Sequence, residues 1–223
     1  DPGPSRRGWH RLQTALQCPR LYALKYKQER PLSPVPPAAA LVKGSMIHIG
    51  IAHHYALQME EWKGKEDQLY SPAEAVVELA ERQPDGHRAT WLGYVDEILT
   101  VLSAYQLHWN SENWITKAVE HELLVHVFDD ERDESILYTQ RVDAIWEHPI
   151  THKIFYVDHK SAKNWSGRSL GQYSISGQML GYQMIGRKKY GDRWGGVLLN
   201  VIQWPKSSKP AEFSRTPVEP APY

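Results

Sequence analysis

The sequence predicts an α/β fold, a helix–sheet–helix sandwich, and three observations carry that prediction. Apolar and polar residues alternate from Leu137 to Trp146 and again from Ile154 to Asp158, the period-two pattern of half-buried strands. Trp91, Val95, Ile98, Leu102 and Tyr105 recur instead at helical spacing, an apolar stripe suited to packing across a sheet. Ser71, Pro72 and Glu74 supply a capping residue, a proline at the first helical position and the acid of a capping box, so a helix begins there. With 223 residues and 41% hydrophobic content, the chain has material for one compact core and is not a disordered chain.

In chain order, a first helix is expected from Trp9 to about Lys27, ended by the proline-rich connector PLSPVPP at 31–37. A second helix runs from about Lys43 to Trp62, and a polar loop follows through Tyr70. The capped helix starts at Ser71, and the Pro84-Asp85-Gly86 break separates it from the long stripe-bearing segment. Strands are expected at Ile115 to Phe128, Ser135 to Trp146 and Lys153 to Ser161, with the acidic run DDERDE as a hairpin loop. A helix from Leu170 to Tyr190 and a strand from Val197 to Gln203 complete the sandwich. Residues 1–204 then form one domain, a helical part (about 9–110) followed by a sheet-bearing core (about 114–204), and 205–223 read as a poorly ordered, flexible tail rich in Pro and Ser.

Net charge is zero, which does not fit a simple nucleic-acid coat, but the distribution is uneven. Between Lys153 and Arg193 eight Lys or Arg face only Asp158 and Asp192, a local basic surface suited to phosphate. The lone Cys18 can form no internal disulfide and cannot hold an iron–sulfur cluster, and its neighbours Leu16, Leu21 and Leu24 mark it as a packing residue. No run of about eighteen apolar residues exists, and the start DPGPSRRG lacks the apolar stretch of a secretory signal. The expectation is a cytoplasmic protein with no membrane partner.

The chemistry concentrates in QRVDAIW and IFYVDHKSAK. If the two strands form a hairpin around 148–151, Asp143 and Asp158 face the same side, and Lys160 points with Asp158 because strand side chains repeat every second residue. Carboxylates gather to hold a hard cation such as Mg2+ or Mn2+, which polarises a phosphoryl oxygen and lowers the pKa of a bound water. Two roles are open to Lys160: orienting the attacking water or neutralising charge on the phosphate. An acid followed two positions later by lysine also occurs as an ordinary surface ion pair, so the pair gains weight from the other segments. Gly44 and His48, like Gln178 and Tyr182, are four residues apart and share one face of a helix. Gly44 is the position where another backbone can approach closely. Trp165 and Tyr173 are candidate stacking surfaces for unpaired bases, or core.

Five segments, in order, resemble the RecB-type exonuclease branch of the PD-(D/E)XK nuclease superfamily: CPRLYALKY, GSMIHIGIAHHY, VEHELLV, the strands bearing Asp143, Asp158 and Lys160, and GQMLGYQM. That resemblance implies a restriction-endonuclease-like core, a mixed central sheet flanked by helices. It implies His48, Asp143, Asp158 and the main-chain carbonyl of His159 as metal ligands, with Lys160 catalytic. Glu120 is the closer match for the acid of VEHELLV and Glu122 the alternative. Gln178 and Tyr182 would lie near the nucleic-acid backbone, with Lys163, Arg168 and Tyr173 as further contacts. The chain departs from the pattern at Gln140, where a glycine is usual, and no proline adjoins Asp143. CRISPR-associated and AddB-type relatives carry four cluster-ligating cysteines, so the likeness is to cluster-free members.

The implied activity is that of a Mg2+- or Mn2+-dependent deoxyribonuclease acting on DNA ends, single-stranded ends included, in recombination, repair or the processing of phage or plasmid DNA. A prokaryotic or phage origin and a helicase or recombinase partner are compatible with that resemblance. The competing readings are a non-catalytic nucleic-acid-binding or scaffold protein of the same fold and a restriction-type endonuclease.

Overall fold

Proline at position 19 decides the start of the fold. A proline has no N–H to donate and disfavours helical geometry in the residue before it. In the computed structural model, which describes residues 8–28, 38–129, 131, 133–207 and 209–219, the expected first helix is accordingly two. Helix α1 spans Trp9–Gln17 and α2 spans Pro19–Tyr26, with Cys18 extended between them and its Sγ accepting from the Leu21 N–H at 3.4 Å. Cys18 is therefore a helix cap, and Leu16 and Leu21 beside it are exposed, which corrects the packing role expected for it. The segment 31–37 lies outside the described residues.

Helix α3 (Ala39–Ala56) buries Val42, Met46, Ile47, Ile51 and Tyr55 and ends six residues sooner than predicted. Helix α4 (Pro72–Glu81) begins where the capping box places it: Ser71 Oγ accepts from the Glu74 N–H at 3.2 Å, and Glu74 Oε2 accepts from the Ser71 N–H at 2.8 Å. Ser71→Ala is expected to cost about 1 kcal/mol. For a chain of this size that is a fall of roughly 2 to 4 °C in Tm. An unchanged melting curve would show that the box contributes nothing. The long segment after Pro84 divides at Gly93-Tyr94 into α5 (Asp85–Leu92) and α6 (Val95–His108), with Trp91, Ile98, Leu102 and Tyr105 buried as their spacing predicts.

Five strands form one sheet in the order β1-β2-β3-β4-β5. They are β1 (Ile115–Asp129), β2 (Glu134–Glu147), β3 (Ile154–Ala162), β4 (Trp194–Gln203) and β5 (Glu212–Val218). Only β3 and β4 are parallel, so the sheet is mixed. A parallel pair needs a crossover. Helices α7 (Gly167–Ser174) and α8 (Gly177–Tyr190) supply it, divided where Ser176 caps α8 through the Met179 N–H. The flexible tail expected after Trp204 is corrected by β5, which pairs with β4 from Val197↔Val218 to Gln203↔Glu212. Pro217 obscures this strand in the sequence, yet an edge strand tolerates proline. Phe213 packs edge-on against Tyr105 and Val218 is buried.

On one sheet face α3, α4 and α6 cover Ala144, Trp146, Val157, Leu198 and Ile202. On the other, α8 packs Met179, Tyr182 and Ile185 against Val142, Ile145, Tyr156, Leu199 and Val201. The β2–β3 ladder stops at Ala144↔Val157, while β2 continues on β1 and β3 continues on β4. The sheet opens as a fork at that pair, and the next residues inside it are Asp143 and Asp158. No helix among the described residues is long and apolar enough to cross a membrane.

Candidate active site

A strand that leaves its ladder must find new partners for its backbone groups. At the fork Asp143 provides one, its Oδ2 accepting from the His159 N–H at 2.5 Å. Two-residue periodicity on β3 sets Asp158 and Lys160 on one side, with Lys160 Nζ 2.5 Å from Asp158 Oδ2. Asp158 Oδ1 accepts from Gln178 Nε2 of α8 at 2.9 Å, and the Tyr182 hydroxyl lies 3.4 Å away, itself donating to the Arg141 carbonyl at 2.5 Å. From α3, His48 brings Nδ1 to 3.8 Å from Asp143 Oδ2. On β1 the flanking pairs Val119↔Ala144 and His121↔Val142 set Glu120 across from Asp143. These side chains line one cavity of about 670 Å³. Glu122 is exposed and does not line it, so the two acids of VEHELLV are separated by position.

The cavity concentrates negative charge away from water. Burial raises the Asp143 carboxyl above its ordinary range; His48 opposes the shift and Asp158 adds to it. Glu120 is pushed up to about 7 by burial, then by Asp143, against a smaller opposing pull from Arg141. Its backbone is in the left-handed region at φ 46°, a conformation that costs a non-glycine residue about 1 kcal/mol or more. Burial acts to lower the Lys160 ammonium, but Asp158 and Asp143 outweigh it and hold the group above its ordinary value. Lys160 is thus a cation at neutral pH, able to donate hydrogen bonds and unable to act as a base.

Nucleases of the superfamily that the sequence resembles generally use divalent metal ions such as Mg2+, and the donor chemistry here fits such an ion. Asp143, Asp158 and Glu120 offer hard oxygens and His48 an imidazole, and the raised Glu120 and Asp143 mark acids short of compensating positive charge. Among the described residues, no group of three or more His, Cys, Asp or Glu side chains is already drawn together around a single ion position. Lys160 holds Asp158 Oδ2.

Several expected contacts are placed differently. Tyr182 is buried at 1% exposure, and its hydroxyl donates to the Arg141 carbonyl and accepts from Gln178. Gln178 lines the cavity, but its amide is engaged by Asp158 and the Tyr182 hydroxyl. Lys163 and Arg168 are exposed and lie outside the cavity lining. Tyr173 stacks on Trp165 with ring centroids 5.7 Å apart and lies under Lys160 Nζ, 5.6 Å from its ring centre. A Cβ on Gly44 would meet the Ser161 Oγ at 3.4 Å, ordinary contact, and among the described residues no backbone from outside its own helix approaches it within 4 Å.

Two further groups were not foreseen. Gln140, the departure from the family pattern, is buried and its Nε2 donates to the Gln178 carbonyl at 3.0 Å, tying β2 to the start of α8. Helix α1 walls the cavity with Trp9, His10, Gln13 and Thr14. It is seated by the Trp9 ring on Gly177, where a Cβ would come within 2.4 Å. The His10 imidazole opens to the cavity, and the protein packed around it, then Lys160, holds it below its ordinary value.

No curated protein matches the chain. A solved structure described as "Crystal structure of SSO0001" is similar at 14% identity, with 95% of this chain and 81% of that chain covered and a TM-score of 0.32. The family model of the PD-(D/E)XK nuclease superfamily matches residues 9–221, nearly the whole chain. Its restriction-endonuclease-like architecture, a mixed sheet between helices, is the one the strands and helices form, and the chain belongs to the PD-(D/E)XK nuclease superfamily.

Proposed function

We propose that the protein is a Mg2+- or Mn2+-dependent deoxyribonuclease of the RecB-type exonuclease branch that hydrolyses phosphodiester bonds from DNA ends. The observation that carries the reading is the convergence of His48, Glu120, Asp143, Asp158 and Lys160 on one cavity at the fork of β2 and β3. A non-catalytic scaffold of the same fold would be under no constraint to keep those acids together. In this reading His48, Asp143, Asp158 and the main-chain carbonyl of His159 hold the cation, with Glu120 beside them. When bound, the ion polarises a phosphoryl oxygen and makes a bound water more acidic.

The chain's own groups do the rest. Gln178 holds Asp158 in one orientation from α8, and the Tyr182 hydroxyl, tied to the Arg141 carbonyl, accepts from the same Gln178 amide and steadies it. The His159 N–H fixes Asp143 in the same way. Lys160 donates to the phosphate or to the attacking water, and its charge offsets the negative charge that grows on the phosphoryl oxygens. His10, Gln13 and Thr14 of α1 close one side of the cavity and limit what enters.

Degradation of end-labelled linear single- and double-stranded DNA beside a closed circle, with Mg2+, with Mn2+ and with chelator, tests the reading. Loss of the linear species alone, dependent on metal and absent in Asp143→Asn, is the expected result. Cutting of the circle would replace end-dependent action with an endonuclease, and DNA binding without cleavage in every metal would favour the scaffold.

A further inference from the structure

A row of buried polar residues crosses three strands behind the site. The ladder aligns His159 of β3 with Asn200 of β4, and Asn200 with Arg215 of β5. Asn200 is fully buried and His159 is 1% exposed. Asn200 Nδ2 lies 2.8 Å from His159 Nδ1 and donates to the Tyr105 hydroxyl at 2.8 Å, while Asn200 Oδ1 accepts from Arg215 Nε at 3.4 Å. Arg215 lies between the rings of Trp109 and Trp146, pairs with Glu112 and donates to the Tyr55 hydroxyl at 2.8 Å. Tyr55 in turn donates to Glu112 at 2.7 Å.

These partners leave one assignment of protons. A guanidinium has no acceptor, so the Asn200 oxygen must face Arg215 and its amide nitrogen must face His159. His159 Nδ1 then accepts, and the ring proton sits on Nε2. One side chain of the row is thereby held in one tautomer and one orientation, and the peptide N–H of that same residue holds Asp143. Stability alone does not explain the row, because buried ion pairs are often no better than well-packed apolar residues of the same size.

We infer that Asn200, backed by Arg215, is a positioning residue for the active centre: it fixes His159, and through the His159 peptide it sets the carboxylate of Asp143. The inference rests on the metal-dependent reading above, and it assigns to two residues far apart in sequence a role in how tightly the cation is held. Residues that orient metal ligands from behind typically change affinity by about 10- to 100-fold when replaced.

Calorimetric titration of Mn2+ without DNA compares wild type, Asn200→Ala and Arg215→Lys, alongside circular dichroism and the 15N spectrum of the histidines. The expected result is native circular dichroism, Mn2+ binding weakened about 10-fold or more in Asn200→Ala, and a smaller loss in Arg215→Lys, which keeps a charge for Glu112 but releases the Asn200 oxygen. His159 of the wild type should show a protonated Nε2 and a bare Nδ1, and Arg215→Lys a mixture. Mn2+ affinity within twofold of wild type in folded variants overturns the positioning role and leaves the nuclease reading standing. A wild-type His159 protonated on Nδ1 overturns it as well, even where Asn200→Ala fails to fold. Wild-type protein that binds no Mn2+ overturns the metal-dependent reading, and this inference with it.

Discussion

Asp158→Ala is expected to lower kcat by about 10³-fold or more, since a cation that stabilises transition-state charge contributes several kcal/mol and each ~1.4 kcal/mol is tenfold. Asp158 is held on both oxygens, by Gln178 on one and Lys160 on the other, so its removal strips the site of a carboxylate and of the partner that orients the lysine. Lys160→Ala should behave differently. Loss of a well-placed donor costs roughly 10²- to 10³-fold in kcat, yet it leaves two buried acids with less compensating charge, so Mn2+ should bind more tightly. The signature is therefore opposite signs: Asp158→Ala loses both rate and metal affinity, and Lys160→Ala loses rate while gaining affinity. Single-turnover cleavage together with Mn2+ calorimetry reads both. Breaking a buried pair destabilises a fold, so circular dichroism must show each variant folded before its rate is compared. Equal rates in wild type and both variants would remove this cavity from the chemistry.

The residues brought into the fork were legible because their chemistry is local: alternation on β2 and β3 fixes which side Asp143, Asp158 and Lys160 occupy, and helical spacing places His48 beside Gly44. Element breaks were less legible. Cys18 and Gly93 interrupt patterns that continue in helical register on either side, so periodicity alone reads through them. Strand β5 was hidden by Pro217 and by the Pro and Ser around it, although Phe213, Arg215 and Val218 carry its contacts. A signal for the buried row existed in VLLNVI, where a single asparagine stands in an otherwise apolar run. A buried amide in a central strand must find partners. Nothing in one sequence identifies those partners as Arg215 and His159, because strand order is a property of the folded sheet. For a related reason helical spacing shows that Tyr182 shares a face with Gln178, but not that its hydroxyl is buried and taken up by the Arg141 carbonyl.

Glu120→Gln is expected to stabilise the metal-free protein at pH 8 and to leave it nearly unchanged near pH 4.5. The folded-state value of about 7 lies above the ordinary 4.5. Between those values the folded protein binds more protons than the unfolded chain, so stability falls as pH rises through that window and the full cost is present above it. At ~1.4 kcal/mol per pH unit the cost approaches roughly 3 kcal/mol, an increase of roughly 6 to 12 °C in the Tm of the variant. Glutamine keeps the size of the side chain and the same left-handed backbone, so strain cancels and only the charge differs. Melting curves of both proteins across pH 4.5 to 8 should converge at the acid end and separate above neutrality. A saturating divalent cation should close the gap at pH 8, because the ion favours the carboxylate that burial penalises in the metal-free protein. Parallel curves at every pH would show that Glu120 ionises without cost, and with that the crowding of acids that makes this fork fit a metal would be gone.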